Sequence, residues 1–160
     1  MAKIIVGISD MKVSNNPQDV LVTYSLGSCI GLAIWDQQLK VGGLLHYMLP
    51  DSKLDKARAE ARPFMFADVG VPRLFKEAYA LGARKENLIV KVVGGAQIMD
   101  SAGLFNIGQR NYQILIRMFQ KNKITIVSQD VGGTVNRTVS LHVATGSTRL
   151  KVSGREECDL

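Results

Sequence analysis

Apolar and β-branched residues come in four short runs over the first 50 positions, and each run predicts a strand. The runs are KIIVGIS at 3–9, DVLVTYSL at 19–26, CIGLAIWD at 29–36 and KVGGLLHYML at 40–49. The turn-like SNNPQ precedes the second run, and a polar QQL link separates the last two. The segment that follows, PDSKLDKARAEAR at 50–62, is polar, and we expect a mobile flap there that could overhang a site.

The rest of the chain adds two helical patterns. Apolar residues at helical spacing predict a helix from Asp68 to Leu81 that ends at Gly82; Pro72 suits it only in the first turn. A second helix is predicted over 106–122, with Asn106 as its N-cap. Further strands are predicted at 86–95, at 123–130, and as a hairpin of 137–144 with 149–153.

This order predicts an α+β fold: a layered, sandwich-like core of mixed or antiparallel strands covered by two helices. The length of 160 residues suits one domain, which we assign to 1–152, with 153–160 as a mobile tail. Paired glycines at 94–95 and 132–133 match no phosphate-loop spacing, and we expect them to allow close backbone approach or to line a pocket.

Composition narrows the possible functions. The chain has no apolar run long enough to span a membrane and no signal-peptide pattern, so we expect a cytoplasmic protein that is not inserted in a membrane. Two cysteines and two histidines, widely spaced, predict no disulfide framework, no metal site and no cofactor. The net charge of +6 is scattered and aromatic residues are few, which favours a solvated surface or an acidic protein partner over nucleic acid.

The third and fourth strands carry the candidate chemistry. A hairpin centred between Gln37 and Gln38 places Cys29 directly opposite His46 on one face of the sheet, where a thiol and an imidazole can hydrogen-bond. Gly27 permits a bend just before the cysteine, and the backbone N–H groups near Ser28 could then stabilise an oxyanion.

A chain reversal near Leu26 would bring Thr23 beside this pair, where its hydroxyl could orient the imidazole. Structural explanations exist for all three residues. Free cysteine and isolated histidine are common in cores, and threonine is common in strands. The residue pattern leaves both interpretations open.

Several longer stretches resemble one family. The segment LVTYSLGSCIGLAIWD, then KVGGLLHYMLPDS, VVGGAQIMD, NIGQRN and DVGGTVNRTVSLHVATG are similar, in this order, to the CheD family of chemoreceptor glutamine deamidases. The similarity covers about residues 3 to 152. It implies a catalytic cysteine, histidine and threonine at Cys29, His46 and Thr23, and a fold like that of cysteine deamidase toxins of the cytotoxic necrotizing type.

The resemblance also implies a function. It predicts hydrolysis of glutamine side chains to glutamate on methyl-accepting chemoreceptors through a Cys29 thioester, with a possible side methylesterase activity and a CheC-type phosphatase as a partner.

We expect Cys29 to be the fast-reacting thiol and Cys158 the slow one. Asn106, Gln109 and Arg110 are candidate substrate contacts, although helix capping and surface solvation are the more common reasons for such residues at the start of a helix. The alternative is a non-catalytic module that binds the receptor or the phosphatase.

Overall fold

The structure, a computed structural model, describes residues 1–97 and 106–160. These residues form ten strands: β1 (Ala2–Ile5), β2 (Asp10–Ser14), β3 (Asp19–Leu26), β4 (Ile30–Asp36), β5 (Val41–Tyr47), β6 (Leu88–Gly94), β7 (Ser128–Val131), β8 (Arg137–His142), β9 (Thr148–Val152) and β10 (Cys158–Asp159). Sheet A has the order β1-β3-β8-β9-β10, and sheet B has the order β2-β5-β4-β6-β7. Each sheet has one parallel pair, β1 with β3 and β6 with β7, and its remaining neighbours are antiparallel.

The helices are α1 (Lys56–Ala61), α2 (Ala67–Ala80) and α3 (Ile107–Lys121), with 3₁₀ turns at Ser52–Leu54, Pro63–Met65 and Lys85–Asn87. The predictions of α2 and α3 are confirmed within one residue at each end. The segment 50–62 contains the first 3₁₀ turn and α1, whose N-termini are capped because Asp51 and Asp55 accept hydrogen bonds from backbone N–H groups. Its role as a mobile flap stays a prediction.

Local corrections concern proline and the strand limits. Pro72 lies inside α2, beyond its first turn, where its ring faces solvent. Gly82 follows the helix with a φ of +101°, the left-handed conformation expected of a C-terminal stop. The single strand predicted at 3–9 is wrong, because β1 ends at Ile5, and the edge strand β2 was missed. The strand predicted at 123–130 begins only at Ser128.

Two apolar cores give the molecule three layers. One core lies between the sheets, with Leu21, Leu26, Trp35, Leu44 and Leu141 among its members. The other lies between sheet B and helices α2 and α3. Strands β4 and β5 are therefore buried on both faces, and every residue in them is buried. The predicted layered α+β class is confirmed; the resemblance to the toxins stays a prediction.

Other predictions concern the ends of the chain and the membrane. The assignment of one domain at 1–152 stays a prediction, as does the mobility of the tail. Within that tail Cys158 and Asp159 pair with Leu150 and Arg149 as strand β10. No helix in the described part of the chain is long and apolar enough to cross a membrane.

Candidate active site

The hairpin of β4 and β5 positions the candidate nucleophile and base. Its register pairs Gly31 with His46 and Ile30 with Tyr47, so the predicted direct opposition of Cys29 and His46 is wrong by two residues. Because side chains alternate with a period of two, a shift of two leaves Cys29 on the same face as His46. Cys29 is thus the diagonal neighbour of His46, and it packs against the apolar core between the sheets.

Thr23 reaches His46 across the sandwich. The predicted position of Thr23 on a strand paired with β4 is wrong, because β3 belongs to sheet A and β4 to sheet B. Both side chains point into the space between the sheets, where Thr23 is 0% and His46 is 1% exposed. The Thr23 Oγ1 lies 2.7 Å from the His46 Nδ1. The structure therefore brings these two predicted residues into direct contact.

The hydrogen bonds of Thr23 determine which imidazole nitrogen carries the proton. The Thr23 hydroxyl donates its single proton to the carbonyl oxygen of Val6 at 2.7 Å. Toward His46 it can then only accept, so the neutral imidazole carries its hydrogen on Nδ1. The opposite nitrogen, Nε2, keeps a free lone pair and has no hydrogen-bond partner among the described residues. This arrangement leaves Nε2 able to accept a proton, but the hydrogen bond predicted between Cys29 and His46 is not formed among the described residues.

Cys29 lies in a bend held by hydrogen bonds to its backbone. The carbonyl oxygen of Gly27 accepts from the Ala96 N–H, and that of Cys29 accepts from the Gly95 N–H, both at 2.8 Å. Gly27, Ser28 and Cys29 are half-buried. The two residues that follow β6 therefore hold the backbone of the bend in place, while the side chains of the bend stay partly accessible.

Only glycine at position 94 lets the end of β6 approach the backbone of Cys29 this closely. Its φ is +112°, and a Cβ built on it would lie 2.2 Å from the carbonyl oxygen of Cys29. The prediction that the paired glycines at 94–95 allow backbone to approach backbone is confirmed here. Gly132 and Gly133 also have positive φ, but nothing lies within 4 Å of a Cβ built on either. The last residues of the VVGGAQIMD motif, 98–100, lie outside the described residues.

We expect Gly94→Ala to destabilise the protein more than Gly132→Ala does. Both substitutions strain a positive φ, but only Gly94→Ala adds an overlap with the Cys29 carbonyl. We expect this overlap to lower the free energy of unfolding by about 2 kcal/mol more than Gly132→Ala does. Urea unfolding of the two variants measures the difference. Equal losses of unfolding free energy would contradict the close approach.

Burial controls the protonation of the site. It raises the pKa of the Cys29 thiol to about 11, opposed only in part by a hydrogen bond from the cysteine's own backbone N–H. Burial also lowers the pKa of His46 to about 4. Near neutral pH both the Cys29 thiol and the His46 imidazole are therefore uncharged. The expectation that Cys29 is the fast-reacting thiol is not supported by a lowered pKa, and it stays a prediction.

The low pKa of His46 predicts a loss of stability in acid. The folded pKa is about 4, against an ordinary value of 6.5, so the unfolded chain binds a proton between these values while the folded chain does not. Stability is full above pH 6.5 and falls as the pH drops toward 4, by about 3 kcal/mol for this group. Urea unfolding at pH 7 and pH 4 should show that much more loss in the wild type than in His46→Gln. Equal losses would mean that His46 titrates normally.

The candidate substrate contacts lie at the first turn of α3. Asn106 precedes the helix as its N-cap residue with a φ of 47°, and its side chain makes no capping hydrogen bond. Gln109 and Arg110 are exposed on the first turn. The first turn of α3 packs against the two residues that hold the bend at 27–29, because Gly108 contacts the backbone of Gly95 and Ala96. These three side chains therefore belong to the same end of the molecule as Cys29.

Two buried polar residues near the site were missed by sequence reasoning. Arg137 is buried, bonds to the Asp130 carboxylate at 2.7 Å, and donates to the carbonyl oxygen of Gly94 at 3.2 Å. Asn111 is fully buried on α3 and donates to the carbonyl oxygens of Ser28 and Met48. Asn111 could have been found, because it is an amide at a position that helical spacing assigns to the buried face of α3.

Comparison with known proteins identifies the family. The CheD family model, described as CheD chemotactic sensory transduction, matches residues 48–152. The chain belongs to the CheD family. The matched span begins just after His46, so Thr23, Cys29 and His46 all precede it.

Relatives in the CheD family align over nearly the whole chain. The chain is 55% identical over 154 residues to the probable chemoreceptor glutamine deamidase CheD 1 of Syntrophus aciditrophicus (strain SB), covering 96% of each. It is 45% identical over 157 residues to the probable chemoreceptor glutamine deamidase CheD of Solibacter usitatus (strain Ellin6076), covering 98% of this chain and 93% of the relative. These alignments extend over the strands that carry the candidate site. The resemblance inferred from the sequence is confirmed.

Proposed function

We propose that this CheD protein hydrolyses the side-chain amide of glutamines on methyl-accepting chemoreceptors, producing glutamate and ammonia. The observation that carries the proposal is the contact between Thr23 and His46, which directs a free Nε2 into the space between the sheets on the face shared by Cys29. The names of the relatives, chemoreceptor glutamine deamidases, supply the substrate class.

The first chemical step is attack by sulfur. His46 Nε2 removes the thiol proton as the Cys29 Sγ bonds to the carboxamide carbon, and the carbonyl oxygen takes the negative charge. Because the resting pair is neutral, proton transfer accompanies the attack and does not precede it. Backbone N–H groups around Gly27, Ser28 and Cys29 are the proposed donors to the oxyanion.

The second half releases both products. Imidazolium at His46 returns the proton to the departing nitrogen, which leaves as ammonia while a thioester remains on Cys29. His46 then takes a proton from water, whose oxygen bonds to the thioester carbon; the sulfur leaves and regains the proton. Thr23 accepts a hydrogen bond from Nδ1 throughout and keeps the ring in one orientation. None of these steps uses a metal or a cofactor.

The same chemistry accepts a related substrate. A glutamyl methyl ester presents the same carbonyl carbon with methanol as the leaving group, so the same thioester forms. A side methylesterase activity therefore belongs to this proposal. It would share Cys29 and His46 with the deamidase activity and would be lost together with it.

The partners are proposed from charge and family. The net charge of +6 suits an acidic receptor surface, and long-range attraction of this kind weakens as salt is added. Asn106, Gln109 and Arg110 are proposed to contact the receptor segment around the target glutamine. A CheC-type phosphatase is proposed as a second binding partner, since the family resemblance implies one.

Mass spectrometry of a purified chemoreceptor cytoplasmic fragment tests the function. After incubation with the protein, peptides should gain about one dalton at defined glutamines, with one equivalent of ammonia released for each. A fragment incubated in buffer alone controls for spontaneous deamidation. A fragment that binds the protein but gains no mass would contradict the enzymatic proposal and favour the binding-module alternative.

A further inference from the structure

Asn111 joins the two segments that carry the candidate nucleophile and base. Its Nδ2 donates to the carbonyl oxygen of Ser28 at 3.0 Å and to that of Met48 at 2.8 Å. Ser28 immediately precedes Cys29, and Met48 lies two positions beyond His46. A single carboxamide on α3 thus holds both segments at once.

These bonds lie where the sheet itself stops. The β4–β5 ladder ends at the pair of Ile30 and Tyr47, so Cys29 and Met48 are beyond its last rung. Cys29 is also the diagonal neighbour of His46, and the ladder alone does not fix the separation of diagonal side chains closely. The carboxamide of Asn111 bridges the open end of the hairpin in place of a further rung.

The orientation of the Asn111 amide is determined by its partners. Two carbonyl oxygens face it and both need donors, so the NH₂ group must point toward them. The Oδ1 is then left buried without a hydrogen-bond partner among the described residues. A third bond fixes α3 to the same strand, because the Tyr47 hydroxyl donates to the backbone carbonyl of Asn111 at 2.6 Å.

The position is otherwise apolar. Asn111 lies on the buried stripe of α3 with Leu115 and Phe119, where an aliphatic residue would pack without an unpaired acceptor. A buried amide at such a position, with both N–H bonds directed to the two site segments, fixes the geometry of these segments relative to each other. We propose that Asn111 is a positioning residue that sets the distance between Cys29 Sγ and His46 Nε2. The inference rests on the proposed function.

Steady-state kinetics of ammonia release from the chemoreceptor fragment tests this role. In Asn111→Ala we expect kcat to fall about 100-fold, because displacement of a reacting pair by roughly 1 Å costs that much, while KM changes less than threefold. The matched control is Leu115→Ala, which truncates a buried residue one turn further along the same helix, and we expect its kcat within threefold of the wild type. Equal losses of kcat in both variants, or an unchanged kcat in Asn111→Ala, would overturn the proposal.

Hydrogen exchange provides a readout that does not need activity. Amides in 27–31 and 46–49 should exchange faster in Asn111→Ala than in Leu115→Ala, and equal exchange would overturn the proposal. If the wild type releases no ammonia, the proposed function fails and exchange alone decides the role of Asn111. If Asn111→Ala does not fold, Tyr47→Phe removes the third bond with almost no change of volume. It should then lower kcat about fivefold at constant KM, and an unchanged kcat would overturn the proposal.

Discussion

Cys29→Ala is expected to abolish ammonia release, with a fall in kcat of about 10⁴-fold or more. The proposed reaction passes through a thioester, and no other group in the described site can form one. The substitution removes one sulfur atom from a half-buried bend whose backbone is held by Gly95 and Ala96, so the fold should persist. Ammonia release from a chemoreceptor fragment measures the effect, and binding of the fragment should be retained.

The matched control is Cys158→Ala. Cys158 is exposed on the short edge strand β10, next to acidic residues and away from His46. We expect that variant to keep wild-type activity. A Cys29→Ala variant that still released ammonia at the wild-type rate would rule out Cys29 as the nucleophile and, with it, the thioester mechanism.

The hairpin shows how much of the site the sequence could predict. The pattern placed both strands correctly, but the turn is centred one position later than Gln37–Gln38. The Asp36 carboxylate accepts hydrogen bonds from the N–H groups of Gln38 and Leu39, and Lys40 adopts a left-handed φ of 56°. This capping needs a four-residue loop. The prediction that Cys29 and His46 lie on the same face of the sheet was still correct, because the error in register was an even number of residues.

The role of Thr23 was predicted from an arrangement that does not exist. The sequence suggested neighbouring strands in one sheet, whereas β3 bulges between Thr23 and Leu26 and the chain then passes to the other sheet. Contact between Thr23 and His46 depends on how two sheets stack. No local pattern determines that distance, so only the family resemblance could indicate the pairing.

Strand β2 and the burial of Arg137 could not be predicted from the sequence for a similar reason. Strand β2 is short and lies at the edge of sheet B, so its apolar alternation is brief. Arg137 looks like a surface residue in the sequence, yet it is 5% exposed because Asp130 and the Gly94 carbonyl surround its guanidinium. Local patterns found the long, buried elements, while polar contacts between distant segments needed the three-dimensional structure.

His46→Gln is expected to lower kcat about 10³-fold while KM changes less than threefold, because the base acts on the reacting proton and does not bind substrate. Burial holds the Cys29 pKa near 11, so without an acceptor at Nε2 the thiol stays protonated near neutral pH. The matched control is His142→Gln on the outer face of sheet A, which should keep wild-type kinetics. Ammonia release at pH 7 compares the two variants. Equal, small effects would show that His46 is only a core residue, and a rise in KM at unchanged kcat would assign it to binding.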